Sequence, residues 1–308
     1  MELLVGRMLR VVVTLWVIGT VVFFATRLTG NPIDFLMAEG IDATSRKVMI
    51  AYWGLDQSYW EQYWRFWWAL LHGEFGIGLA ERRPVVTIMG ERVWQSASLL
   101  LCSISFTIIV GIPLGIVAAI WRGTLKGTAL LVAAFLGYAV PNFVLAISLL
   151  LVFSLTLHWL PSSGSRTPLH YVMPTLALSA YFVAALVRYT RNAMLDVLSQ
   201  DYMRTARAKG MSERQAIFKH ALGNALIPVI TVLGLQVTTL VSGAVVIETV
   251  FAWNGVGDLL VSATMQRDYS VLQFGVMAVA TVVILINILV DLAYAGIDPR
   301  VRIAGLGG

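Results

Sequence analysis

Long apolar runs separated by short basic loops constrain this chain more than any other feature. A bilayer core about 30 Å thick needs roughly 20 apolar residues in a helix that rises 1.5 Å per residue. Six segments reach that length: 8–26, 97–121, 128–159, 171–189, 222–247 and 271–294. Charged residues make up only 13% of the chain, against about 25% in soluble domains, while 58% is hydrophobic and the mean hydropathy is +0.79. Such a chain cannot cover itself with polar surface. The 308 residues predict one all-α polytopic membrane domain of six transmembrane helices. Gly111, Gly115, Gly137, Gly234 and Gly243 are placed to let neighbouring helices approach closely. Pro113, Pro141 and Pro174 are expected to kink theirs.

The net charge of +5 does not indicate nucleic acid, because the basic residues gather at the ends of the apolar runs. Residues 127–165 carry no Asp, Glu, Lys or Arg and could fold as two short spans around Pro141. Parity argues for one. With six spans, one side of the membrane collects Arg7, Arg10, Arg122, Lys126, Arg188, Arg191, Arg204, Arg207, Lys209, Arg214, Lys219, Arg300 and Arg302. The two short loops opposite hold Arg166 and Arg267. The positive-inside rule then puts both termini in the cytoplasm. Arg7 and Arg10 before the apolar run 11–25 imitate a secretory signal, but no small-x-small cleavage pattern follows. This run is expected to be an uncleaved first helix.

Residues 29–96 form the predicted extracytoplasmic loop. Trp53, Trp60, Trp64, Trp67 and Trp68 crowd its middle. Two readings stand: an amphipathic helix anchored at headgroup level by tryptophan, or a surface on which an external binding protein sits.

Catalytic and cofactor chemistry is sparse. Cys102 is the single cysteine, and His72, His158, His170 and His220 are far apart in sequence, so neither a metal site nor a disulfide is expected. No phosphate loop, Gly-x-Ser-x-Gly elbow or His-Glu-x-x-His motif occurs. No cofactor is expected. An ionisable group at membrane depth is a functional candidate by default, since insertion costs it about 3 kcal/mol. Glu248, at the outer end of the fifth run, and the amide of Asn142 are the candidates for a substrate pathway. Glu248 alternatively caps the following loop or pairs with Arg267. Asp291 is expected to pair with a basic neighbour.

The segment 201–219 is polar and basic, and it lies between two membrane-length runs. It predicts two short helices broken at Gly210. Tyr202, Thr205, Ala206 and Lys209 fall at i, i+3, i+4 and i+7, a small face able to enter a partner's groove. Ser212 with Gln215 is a capping box that restarts a helix at Glu213. Residues 190–221 thus form a predicted cytoplasmic coupling insert. A transporter, an intramembrane enzyme acting on a lipid-borne substrate and a secondary transporter are the classes open to such a chain.

This insert resembles the EAA loop of bacterial ABC importer permeases, in the form used by the dipeptide/oligopeptide/nickel family. Arg204, Thr205 and Ala206 stand where the general motif has Glu-Ala-Ala, and Gly210 is the motif glycine. The general motif's later Leu-Pro is Leu222-Gly223 here, with a proline only at Pro228. Colinear fragments extend the resemblance over nearly the whole chain: Gly30-Asn31-Pro32, Gly54-Leu55-Asp56, Gly73-Glu74-Phe75-Gly76, Pro141-Asn142-Phe143, Trp159-Leu160-Pro161, Arg188-Tyr189-Thr190-Arg191, Glu248-Thr249-Val250-Phe251, Gly255-Val256-Gly257 and Asp298-Pro299-Arg300. The resemblance implies a type I ABC importer permease in the inner membrane. Its implied partners are a related but non-identical second permease, two cytosolic ATPases and an extracytoplasmic solute-binding protein. Tyr202, Arg204, Thr205, Ala206, Lys209 and Gly210 would contact the ATPases. Di- and oligopeptides are the expected substrates; nickel chelates, glutathione and opines belong to the same branch.

Overall fold

In the computed structural model, which describes residues 2–28, 30, 33 and 43–297, the described backbone is almost entirely helical. The helices in chain order are α1 (Glu2–Leu28), α2 (Ala43–Trp53), α3 (Tyr59–His72), α4 (Val85–Ile120), α5 (Leu125–Ala139), α6 (Asn142–Thr156), α7 (Pro168–Leu198), α8 (Asp201–Ala208), α9 (Glu213–Val250), α10 (Val256–Met265) and α11 (Tyr269–Ile297). Asn31, Pro32, Asp298, Pro299, Arg300 and Arg302 lie outside the described residues, as do the side chains of Arg7, Trp53 and Asp291.

Among the described residues, five helices are long and apolar enough to cross a membrane, and six when the bent pair α5 and α6 counts as one span. The expected proline kink at Pro141 is in fact a break, with α5 and α6 meeting at 99°. Val140 and Pro141 both adopt extended backbone, with ψ of 123° and 139°. The proline ring disfavours helical geometry in the preceding residue, and here both residues leave the helix. Each half has 15 residues and is only about 22 Å long, too short to cross alone. Pro113, Pro174 and Pro228, by contrast, sit inside continuous helices.

The chain divides into two compact units. The first, Met1–Gln95 with Asn254–Ile284, packs α3 along the second half of α1 through large aromatics. Phe23 meets Tyr63 edge-on at 5.2 Å, and Trp67 reaches Gly19 so closely that a Cβ there would stand 2.7 Å from its ring. A second cluster of Val85, Ile88, Met89, Val256, Leu259, Ala263, Val271 and Leu272 joins the start of α4 to α10 and α11. Asp268 caps α11: one carboxylate oxygen accepts from Val271 N at 3.2 Å, the other from Leu79 N at 2.6 Å and Ala80 N at 3.3 Å.

The second unit is organised on α7. Its apolar window is 61% buried, against 11–28% for the other candidate spans, so it is the most enclosed of them. Gly111 and Gly115 of α4 press onto α7. A Cβ at Gly115 would stand 2.5 Å from the Thr190 side chain and 2.9 Å from the Val187 carbonyl. This is the small-residue seam that membrane helices use when hydrocarbon offers no hydrophobic drive to association. On another side of α7, Met173, Ala177, Leu178 and Phe182 pack with Leu240, Ala244 and Ile247 of α9.

Candidate functional site

The insert is built from two caps around one glycine. α8 starts at Asp201, whose carboxylate suits a helix N-terminus. It ends in a Schellman turn: Gly210 N donates to Arg207 O at 2.9 Å and Met211 N to Ala206 O at 3.3 Å. That geometry needs a left-handed residue after the cap, and Gly210 has φ 82°. Ser212 then caps α9, accepting from Gln215 N at 3.4 Å while its own N–H donates to the Gln215 side chain at 3.3 Å. Arg207 and Glu213 bridge the turn in a two-pronged ion pair, 2.9 Å at each contact. That contact raises the Arg207 guanidinium above its ordinary pKa.

The insert is sealed to its own bundle. Met203 and Ala206 are buried, and Met203 enters a cluster with Ala119 of α4, Met194 of α7, and Ala216, Ile217, Ala221 and Ala225 of α9. The face expected from spacing is therefore divided. Ala206 turns inward beside Met203, the bulkiest apolar side chain of α8, whereas Tyr202, Arg204, Thr205 and Lys209 remain exposed. Tyr202 is tied at its tip, its hydroxyl accepting from Asn224 Nδ2 at 3.1 Å. Within α9, residues Ile217–Ala221 form a π-helical segment at the root of the insert, a feature that often marks a mechanical or functional break in a helix.

Glu248, at the far end of α9, is only 1% exposed, and its Oε1 accepts the Ser96 hydroxyl at 2.6 Å. Its backbone carbonyl accepts from Trp253 N at 2.8 Å, and Trp253 is fully buried with Tyr171 edge-on at 4.6 Å. The carboxylate is thus part of a packed corner. Asn142 is the first residue of α6, beside the break, and its Nδ2 lies 3.5 Å from where a Cβ on Gly243 would be. The structure brings Asn142 beside Gly243, near the Glu248 end of α9; of the six predicted insert residues, Tyr202, Arg204, Thr205 and Ala206 lie in α8, and Lys209 and Gly210 in the turn that ends it. The sequence motifs do not point to Met203, to Ser96 or to the pairing of Arg207 with Glu213. The Arg207–Glu213 spacing across a turn glycine was a usable local signal. Ser96 stands 152 residues from Glu248, so nothing local links them.

Three kinds of likeness bear on this arrangement. Residues 111–303 match the family described as "Binding-protein-dependent transport system inner membrane component". The glutathione transport system permease protein GsiC of Escherichia coli K12 is 39% identical over 299 residues, covering 97% of this chain and 98% of that one; GsiC of Shigella flexneri serotype 5b matches to the same extent. Among solved structures, an inward-facing form of the MetNI methionine ABC transporter superposes with a TM-score of 0.59 at 18% identity, over 70% of this chain and 98% of that chain. An amino acid ABC transporter with histidines gives 0.52 at 14% identity, over 68% and 94%.

Proposed function

Because the chain belongs to the family of binding-protein-dependent transport system inner membrane components, we propose that it passes short peptides of the glutathione class across the membrane and is driven through its 190–221 insert. As a member of that family it is a multi-pass inner-membrane permease subunit of an ABC importer, not an enzyme, and it works with ATPase and binding-protein partners. The peptide assignment draws on the full-length likeness to GsiC. A second, related permease completes the pore.

The insert carries the coupling proposal. It is capped, turned and sealed onto α4, α7 and α9 at once, so a push on its exposed side moves three spans as a rigid group. Tyr202, Arg204, Thr205 and Lys209 supply the contact surface; Ala206 and Gly210 hold its shape. ATP-driven closure of the ATPase pair shifts the bundle between two states, provided the insert binds differently in each. The basic clusters around 188–219 support a cytoplasmic insert and cytoplasmic termini, with 29–96 outside. Asn142 is the polar group proposed to border the path, with Glu248 behind it in its packed corner.

The test is uptake of labelled glutathione and of dipeptides in cells with and without the chain, with cysteines at 205 and 209 probed for cross-links to the ATPases. Uptake that depends on the chain together with insert cross-links is the expected result. Peptide uptake unaffected by its deletion would overturn the substrate, and labelling of 201–220 from the outside would overturn the coupling.

A further inference from the structure

The first unit contains a cavity of about 460 Å³ at the end of α1 and the start of α11, and no part of the transport reading uses it. Its pole is Arg27, next to last in α1. The guanidinium stacks on Phe23, with Cζ 3.3 Å from the ring centre. It donates from Nε to Gln62 Oε1 at 3.2 Å, and from Nη1 to Phe23 O at 3.0 Å and Thr26 Oγ1 at 3.3 Å. All three acceptors are neutral. Among the described residues Arg27 makes no ion pair, and the two N–H groups of its Nη2 have no acceptor. A half-buried cation with no counter-ion among the described residues is costly unless a ligand supplies the charge.

Other walls show what kind of ligand fits. Arg65 of α3 adds a second guanidinium, and Glu74 is the one carboxylate among the described lining residues, which together carry a net positive charge. Phe66, Phe75 and Phe274 give it an apolar side, the last two rings lying 4.1 Å apart. Tyr269 and Ser270, which open α11, share the lining with Arg27, which closes α1. Two spans therefore end at the cavity, and that is the depth of lipid headgroups. α3 supports the same depth independently. On its outer side Trp60, Trp64 and Trp68 follow one another at i, i+4 and i+8, each about two-thirds exposed, the placement tryptophan takes at a membrane boundary.

We propose that this cavity holds the headgroup of an anionic phospholipid. The phosphodiester sits between Arg27 Nη2 and the Arg65 guanidinium, headgroup hydroxyls reach the Ser270, Gln273 and Glu74 side, and the acyl chains run along the exposed Val21 and Phe24 of α1. The volume suits a glycerophosphate head and excludes a whole lipid. Arginine is the side chain whose fork matches phosphate oxygens in pairs.

Native mass spectrometry of the full-length chain in detergent tests this with phosphatidylglycerol, phosphatidylcholine, sn-glycerol 3-phosphate and glutathione as probes. Wild type is expected to retain phosphatidylglycerol about tenfold better than phosphatidylcholine, the scale of one charge-assisted hydrogen bond. Arg27→Gln is expected to erase that preference. Arg65→Gln, on an exposed side chain, and Ala69→Trp, which fills the cavity without touching any Arg27 bond, are expected to do the same if Arg27→Gln impairs folding. Equal retention of the two lipids by wild type would overturn the proposal, as would an undiminished preference in both Arg65→Gln and Ala69→Trp. Displacement of phosphatidylglycerol by equimolar glycerol phosphate or glutathione would assign the cavity to a soluble anion or a peptide instead. Peptide uptake is a separate readout, so failure here leaves the transport reading standing.

Discussion

The two units solve the packing problem with opposite materials. The second brings backbones into contact: Gly111 and Gly115 let α4 lie directly on α7, and alanines fill much of the cluster beneath the insert. The first keeps backbones apart with Phe23, Tyr63, Phe66 and Trp67 and ties its loops with single polar anchors, Asp268 above all. Close-packed interiors transmit displacement because they lack room to yield. A glycine seam has less room than an aromatic one, whose rings can turn. The contrast predicts that the unit carrying the insert is the stiffer one, as a coupling element requires.

The strongest way to break this contrast is at Gly210. A Cβ there meets no atom within 4 Å, so its only demand is φ 82°. Gly210→Val is expected to cut uptake by about a hundredfold while the chain still inserts, because a β-branched residue resists the left-handed region by more than about 1–2 kcal/mol. Gly210→Asn, which tolerates that region, is expected to retain most uptake. Equal loss in both variants would mean that the turn geometry is not what matters. Gly115→Leu comes next. With a Cβ at 2.5 Å from Thr190 and backbone at 2.9 Å, it is expected to cost about 3 kcal/mol or more of stability as overpacking, read as lost thermal stability in detergent. In the first unit, Gly73→Leu at the cap that ends α3 meets no atom and bears only the strain of φ 74°, so a smaller loss is expected.

Much of the second unit was legible because its signals are local. Span length, the basic loops, the Ser212–Gln215 box and the Gly210 turn each need fewer than about twenty-five consecutive residues to recognise. The inward turn of Ala206 was not legible, since helical spacing gives a face but not which neighbour claims it; Met203 decided that by bulk. At Pro141 the sequence predicts a kink and not the 99° break, because periodicity is silent about how many residues leave the helix. In the first unit the decisive links are remote: Leu79 N to Asp268 spans 189 positions and Tyr269 OH to Gly30 O spans 239. Local pattern carries no trace of either.

Asp268 sharpens the comparison through its two oxygens. Oδ1 serves Val271 N while Oδ2 serves Leu79 N and Ala80 N, so Asp268→Ala leaves three backbone donors without their acceptor. A loss of about 2 kcal/mol in stability is expected from stranded buried donors. Asp268→Asn keeps one oxygen and is expected to lose about half of that. Burial raises the carboxyl above its ordinary value of 3.8, against the pull of the backbone donors. The folded chain therefore holds this proton more tightly than the unfolded one. Its contribution is greatest in acid and is lost as pH rises from 3.8 through the folded pKa. Melting followed across that window should show wild type losing stability as pH rises and Asp268→Asn showing a flatter profile; identical profiles would remove Asp268 from the account.

The smallest expected effect belongs to Tyr202, and its size is the point. Tyr202→Phe deletes the bond from Asn224 Nδ2 at 3.1 Å, on a side chain that is 42% exposed. Water can replace that partner, so the cost is expected near the low end of a neutral hydrogen bond, about 0.5 kcal/mol, and uptake should change by less than about twofold. Tyr202→Asp keeps the exposure, removes the aromatic surface and adds charge where a partner is expected to press. If contact with the ATPase is what Tyr202 provides, Tyr202→Asp lowers uptake far more than its effect on melting can explain, and Tyr202→Phe leaves both nearly intact. If Tyr202 only braces α8 against α9, the two variants lower uptake in proportion to their losses of stability. The ratio of uptake lost to stability lost therefore separates a docking surface from a strut.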